Sequence, residues 1–282
     1  MRVFNTKKEL KTLLNTVYTK NCTVGMVPTM GALHVGHVSL VNRAIKENNL
    51  VVVSIFVNPT QFNNSDDLKK YPKTFKEDIA LLKELSEDIL VYAPSVNEIY
   101  PDTVEPNNYD FDGLDEVMEG EFREDHFNGV GTVVEELLQT VLPQKAYFGE
   151  KDFQQLQIIK KLVAIKHLPI DIIGCPIVRE ASGLAMSSRN ERLSKELRNE
   201  AAFIYKTLLE VKKKFSKNSI NSLIKWAEKE FDGQSKLTLE YLQIASEDTL
   251  RPAFRKQKDK KYRAFVAVYA DGIRLIDNIA LN

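Results

Sequence analysis

Residues 50–57 read Leu-Val-Val-Val-Ser-Ile-Phe-Val, an apolar run broken only by Ser54. Side chains alternate between the two faces of a strand, so a strand that stays apolar throughout must be covered on both. Such strands lie at the centre of parallel sheets. Before this run, Leu40, Val41 and Ile45 fall at helical spacing within residues 37–48. After it, Thr74-Phe-Lys-Glu77 has the form of a capping box opening a helix through about Leu85. The pattern continues outward on both sides. Residues 6–19 predict a helix capped by Thr6, and Thr23–Pro28 a short strand. Strands are expected at Ile89–Ala93, Lys145–Gly149 and Ile170–Val178, with helices at 130–142 and 152–167. Repeated strand–helix–strand order gives an α/β fold, a parallel sheet with right-handed crossovers and helices on both faces.

Past residue 178 the pattern changes. Residues 194–216 and 219–231 read as amphipathic helices, followed by strands at 236–246, 261–270 and 273–281. Asp271-Gly272 is a hairpin signal between the last two. Two domains are therefore expected, 1–177 and 178–282, the second a smaller α+β unit. The Lys256–Lys261 charge run reads as a solvated loop.

Composition narrows the function. Lys plus Arg and Asp plus Glu both number 39, so the formal net charge is zero. That argues against nucleic acid as a partner, because such binding rests on accumulated positive charge. It leaves room for a small phosphorylated ligand. No apolar stretch approaches the roughly twenty residues of a membrane span, and the N-terminus has no signal-peptide core. Cys22 and Cys175 form no metal-binding pattern and read as apolar thiols, which fits a reducing, cytoplasmic setting.

Ligands of parallel sheets bind beyond the carboxyl ends of the strands, so the loops after strands are where chemistry belongs. Neither a dinucleotide fingerprint nor a P-loop is present. The first strand instead runs into Pro28-Thr-Met-Gly-Ala-Leu-His-Val-Gly-His37. His34 and His37 share one side of a helix's first turn, and Gly36 permits close approach. Imidazoles at a helix N-terminus make a site of phosphate size, though capping histidines would look the same. A zinc pair would need further ligands that the sequence does not supply. The next strand ends in Asn58-Pro-Thr-Gln-Phe62, whose amides suit a small polar substrate, and Asn58-Pro59 alone also suits an ordinary turn. Gly149-Glu-Lys-Asp-Phe-Gln-Gln155 places Lys151 and Gln155 at another strand–helix junction, or else a solvated charge cluster there. Met186-Ser-Ser-Arg189 offers two hydroxyls and a guanidinium for polyphosphate. Arg123 and His126 lie in a polar stretch that is equally readable as plain loop.

Together these blocks resemble the pantothenate synthetase (pantoate–β-alanine ligase) family across nearly the whole chain. PTMGALHVGH, VSIFVNPTQF, YPKT, GEKDFQQL and VREASGLAMSSRN occur in that family's order. The first is a version of the HIGH signature of class I aminoacyl-tRNA synthetases and related nucleotidyltransferases, and MSSR stands where those enzymes carry KMSKS. The resemblance implies a Rossmann-like N-terminal domain binding ATP and pantoate, a smaller C-terminal lid domain, and a homodimer. It implies an enzyme that condenses (R)-pantoate with β-alanine, using ATP and Mg²⁺, through pantoyl-adenylate. On that resemblance ATP is bound by Met30, Gly31, Ala32, Leu33, His34, Val35, Gly36, His37, Gly149, Glu150, Lys151, Asp152, Val178, Met186, Ser187, Ser188 and Arg189. His37, His34 and Lys151 would be catalytic, and Gln61, Gln155 and Asn58 would bind the substrates. Metal ligands are not identified. Glu77 and Asp78 fall where some members have acidic ligands, yet they also begin a helix. Two departures stand out: Ser182 replaces an acidic residue, and Glu124-Asp125 replaces Pro-Gly between Arg123 and His126. Another HxGH nucleotidyltransferase with a phosphorylated acceptor, or a nucleotide-binding protein without turnover, are the competing readings.

Overall fold

The computed structural model describes residues 1–19, 22–62, 65–123 and 125–282, with the backbone alone at 65–67. Glu124 therefore lies outside the described residues. The chain divides into two units, Met1–Glu150 with Gln154–Pro176, and Lys151–Phe153 with Ile177–Asn282.

In the first unit the strands are β1 (Arg2–Phe4), β2 (Val24–Thr29), β3 (Leu50–Ile55), β4 (Leu90–Tyr92), β5 (Lys145–Gly149) and β6 (Asp171–Cys175). The helices are α1 (Lys7–Tyr18), α2 (Val35–Glu47), α3 (Ser65–Lys70), α4 (Phe75–Leu85), α5 (Val96–Ile99), α6 (Glu119–Phe122), α7 (His126–Val141) and α8 (Phe153–Ile165). All sheet pairings are parallel, in the order β1-β4-β3-β2-β5-β6. Strands β3, β4 and β1 lie on one side of β2, and β5 and β6 on the other. The order thus reverses between β2 and β5, and their carboxyl ends open the crevice where such folds bind ligands.

The apolar run at 50–57 behaves as its pattern demands. Val51 and Val53 join Leu40, Val41 and Ala44 of α2 and Leu82 of α4 in one core. Val52 points the other way and is equally buried, on the side where α7 packs against β2 and α1. Fully burying a valine removes enough apolar surface to stabilise the fold by about 1.5–3 kcal/mol, so a polar residue at Val52 would destabilise it by a similar amount.

The second unit holds α9 (Lys195–Glu200), α10 (Ala202–Phe215), α11 (Ile220–Asp232), β7 (Leu237–Ser246), β8 (Tyr262–Ala270) and β9 (Ile273–Ala280). The three strands form an antiparallel sheet in chain order. Leu208, Val211 and Phe215 of α10 and Leu223, Ala227 and Phe231 of α11 cover it, against Ile244, Ala264, Val266 and Val268. Asp271 and Gly272 take φ values of +50° and +72°, as a tight hairpin between twisted strands requires.

Several expectations need correction. The helix expected at 130–142 begins at His126, within the stretch read as polar loop, and the strand expected to reach Val178 ends at Cys175. Helix α2 begins at Val35 rather than 37, because His34 itself caps it. The stretch 194–216 is two helices joined at Ala201, not one. Thr74 makes no side-chain cap on α4; its hydroxyl turns instead to the Asp78 carboxylate at 3.2 Å, and the capping box with Glu77 does not form.

Candidate active site

The loop after β2 is built by a chain of local bonds. The Thr29 hydroxyl donates to the Ser54 carbonyl at 2.7 Å and accepts the Gly31 N–H at 3.1 Å. Gly31 and Ala32 then follow at φ +80° and +50°, an arrangement easy for glycine and costly for alanine. What holds Ala32 there is Asp78, 3% exposed, whose carboxylate accepts the N–H of Ala32 at 3.0 Å and of Leu33 at 2.7 Å. A carboxylate receiving two main-chain donors away from water is a strong clasp.

The clasp delivers the chain to α2, whose first turn is capped by histidines. Nδ1 of His34 accepts the N–H of Gly36 at 3.1 Å, and Nδ1 of His37 accepts the N–H of His34 at 3.3 Å. The two rings lie 4.2 Å apart. An Nδ1 that accepts carries no proton, so the hydrogen of each neutral ring sits on Nε2. Capping and anion binding are therefore not alternatives here. One nitrogen of each ring serves the helix, and the other carries a donor beside the positive helix end.

Beyond β3, Asn58 is 1% exposed and its amide is fully used. Nδ2 donates to Gln61 Oε1 at 3.3 Å and to the Gly129 carbonyl at 3.0 Å, while Oδ1 accepts the Tyr100 hydroxyl at 2.7 Å. This sets Gln61, whose Nε2 reaches the Met30 sulfur at 2.9 Å. The loops after β2 and β3 are thus joined through Gln61. Arg123 and His126 come to the same residue: Nη2 of Arg123 and Nδ1 of His126 donate to the Gln61 carbonyl at 3.1 and 2.9 Å. Gly129 makes the approach of α7 possible. A Cβ there would fall 2.5 Å from the Thr60 carbonyl oxygen.

After β5, a Cβ on Gly149 would meet nothing within 4 Å, so the chain is open beside it. Of the neighbouring glutamines, Gln154 is buried and stitches Leu114, Val117 and Glu119 by their main chains. Gln155, half-buried, is left for other work.

Within the second unit, the turn from Val178 to Met186 is closed by Met186 N–H to Val178 O at 2.9 Å. Glu180 is held by Asn190 at 2.7 Å and by Arg198 at 2.9 Å. Arg179 pairs with Asp277 through two bonds, at 2.6 and 2.9 Å. Burial pushes the Asp277 carboxyl above its ordinary range, and Arg179 opposes that shift. The Ser187 hydroxyl caps the one-turn helix Ser188–Arg192 by accepting the Arg189 N–H at 3.3 Å. In the same unit, Lys151 Nζ lies 3.5 Å from Asp152, and Asp152 and Val178 are half-buried.

Sequence reasoning missed Asp78 as the loop's clasp, Gly129, and the Tyr100 hydroxyl under Asn58. Asp78 was visible as an acid in a helix's first turn and as a residue where some family members have acidic ligands, not as a clasp on the loop after β2. Among the described residues, no three His, Cys, Asp or Glu side chains gather to hold a metal ion. No described helix is long and apolar enough to cross a membrane.

Comparison with known proteins supplies the chemical context. The model of the family described as pantoate-beta-alanine ligase matches residues 2–280. The pantothenate synthetase of Christiangramia forsetii is 54% identical over 282 residues, all of both chains. The crystal structure of pantothenate synthetase from Thermus thermophilus superposes with a TM-score of 0.90 at 39% identity, covering 100% of this chain and 99% of that one. The Francisella tularensis pantoate-beta-alanine ligase, crystallised with beta-gamma ATP and beta-alanine, gives 0.79 at 36%, covering 100% and 98%.

Proposed function

Because the chain belongs to the pantoate–β-alanine ligase family, whose reaction is an ATP-dependent condensation, we propose that it joins (R)-pantoate to β-alanine through a pantoyl-adenylate. A carboxylate is a poor acyl donor, since its leaving group would be oxide. In the first step a pantoate carboxylate oxygen attacks the α-phosphorus of ATP. An O–P bond forms, the bond to the β-phosphate oxygen breaks, and diphosphate leaves. In the second step the β-alanine amine attacks the acyl carbon. The C–N bond forms, the bond to AMP breaks, and the amine gives up its proton.

Such transfers need positioning and charge stabilisation more than a protein nucleophile. The observation that carries the reading is the reciprocal capping of His34 and His37. It fixes both tautomers so that two Nε2–H donors stand at a helix N-terminus, where negative charge develops on a phosphate. In this reading Met30–His37, Gly149–Asp152, Val178 and Met186–Arg189 bind ATP. Lys151, Arg189 and the Ser187 and Ser188 hydroxyls hold the triphosphate and the departing diphosphate. Gln61 and Gln155 bind pantoate, and Asn58, whose own amide is spent, acts by setting Gln61. Arg123 and His126 support the same turn through its carbonyl.

Mg²⁺ is proposed as part of the nucleotide substrate. Asp78 spends its carboxylate on Ala32, Leu33 and Thr74, and Mg²⁺ typically keeps waters and substrate phosphates rather than a protein cage. A homodimer, a lid role for the second unit and a cytoplasmic location belong to the same proposal. The last is supported by both cysteines being thiols.

The test is diphosphate release from ATP and Mg²⁺ with and without (R)-pantoate, adding β-alanine last and following AMP. A pantoate-dependent burst, then AMP turnover only with β-alanine, is expected. Release indifferent to pantoate would overturn the substrate assignment. ATP binding with no release under any condition would overturn the ligase reading.

A further inference from the structure

Asn278 lies in β9, 2% exposed, and both ends of its amide are used. Nδ2 donates to the main-chain carbonyl of Lys151 at 2.8 Å, and Oδ1 accepts from Arg263 Nη1 at 2.6 Å. Arg263, 7% exposed, spreads its guanidinium over the Phe153 ring at 3.9 Å from the centroid and bonds Glu247 at 2.8 Å through Nε. The Asn278 N–H goes to Asp277 Oδ1 at 2.7 Å, and that carboxylate is the one clamped by Arg179.

The chemistry leaves no freedom in this arrangement. A guanidinium has donors only, so the amide oxygen must face Arg263 and the NH₂ must face the carbonyl. Residues 151–153 are therefore held at two points, the Lys151 peptide by an amide and the Phe153 ring by a guanidinium. Lysine carries its charge on a flexible four-carbon stem with several rotatable bonds. Fixing the peptide from which that stem departs is the means a fold has of aiming it.

We propose that Asn278 is a positioning residue for Lys151, oriented by Arg263. The proposal rests on the reading in which Lys151 contacts the ATP phosphates. Its effect should fall on ATP and on adenylate formation, leaving the recognition of β-alanine alone.

A double-mutant cycle tests it. Asn278→Asp keeps the shape and the partner of Arg263 but sets an oxygen against the Lys151 carbonyl. The ATP KM should rise about tenfold, the worth of one buried hydrogen bond, while the β-alanine KM stays within about twofold. In a Lys151→Ala background the same change should add almost nothing, because coupled residues are not additive. If Lys151→Ala alone leaves ATP use intact, the phosphate assignment falls and the proposal falls with it. If Lys151→Ala impairs ATP use but Asn278→Asp keeps a wild-type ATP KM, or adds its full effect in both backgrounds, the proposal alone is overturned. Should Asn278→Asp not fold, Arg263→Lys takes its place in the cycle. It keeps a charge but loses the fork, and an unchanged ATP KM there overturns the proposal equally.

Discussion

The carboxylate of Asp78 accepts the main-chain N–H of Leu33 at 2.7 Å across 45 residues of chain. Its other oxygen takes Ala32 at 3.0 Å. The first turn of α4 thus fixes the loop that carries His34. The left-handed turn at Ala32 is unfavourable by itself, and the clasp opposes its relaxation.

Asp78→Asn should release it. Asparagine can accept one of the two N–H groups but presents its own NH₂ to the other. Losing a charge-assisted bond of this kind costs about 1.5–3 kcal/mol. We expect pantoate-dependent diphosphate release to slow by about 10- to 100-fold, one to two steps of about 1.4 kcal/mol in the barrier. A lowered Tm with a normal rate would reduce the clasp to a stabilising contact.

His37 carries two duties that two substitutions can separate. His37→Ala removes the cap on His34 and the Nε2–H donor together. His37→Asn keeps an acceptor oxygen where Nδ1 stands, without an imidazole. Both should cut single-turnover adenylate formation by about 10²-fold or more, as loss of a preorganised donor does. Only the alanine should also lower Tm. Near-normal adenylation by either variant would remove His37 from the chemistry.

Much of this was legible because burial leaves a signature in composition. Val51, Val52 and Val53 are apolar in succession because both faces of β3 are covered. Lys145–Gly149 appears as a strand at the residues expected. The histidines stand out because an HxGH spacing puts one at the cap of α2 and the other in its first turn. What stayed hidden depends on side chains reaching across the fold. Asp78 looks like any acid in a first turn, and only the tertiary structure aims it at Leu33. Arg123 and His126 could be singled out, but their meeting at the Gln61 carbonyl could not. The break at Ala201 has no glycine or proline to announce it, and β1 is three residues long.

Gly129 tests the turn that holds Gln61. Its carbonyl receives Asn58, and an added Cβ would stand 2.5 Å from the Thr60 carbonyl oxygen. The atoms it would meet, the Thr60 carbonyl and the Gln61 nitrogen, are main chain, so neither rotates away. Gly129→Ala should destabilise the protein by about 1–3 kcal/mol, the range for overpacking. In the surviving folded fraction the pantoate KM should rise more than the ATP KM. Gly149→Ala is the contrast, because nothing within 4 Å resists its Cβ, and its Tm should match the wild type. Equal losses of stability in the two variants would show that the contact at Thr60 yields.

Glu47 gives the fold a defined acid limit. Arg43 bonds one of its oxygens at 2.9 Å, and Lys145 and the Tyr147 hydroxyl reach the other at 3.1 and 3.0 Å. These partners, Arg43 first, hold its carboxyl down from 4.5 to about 2. A group whose folded pKa is depressed stabilises the fold fully above its unfolded value and loses that contribution as pH falls through the folded one. The gap in denaturant midpoint between wild type and Glu47→Gln should therefore be constant from pH 7 to about 5 and close between 4.5 and about 2. The network is partly exposed, so salt should shrink the gap at neutral pH. A gap that stays unchanged at pH 2 would mean that Glu47 acts through packing rather than through its charge.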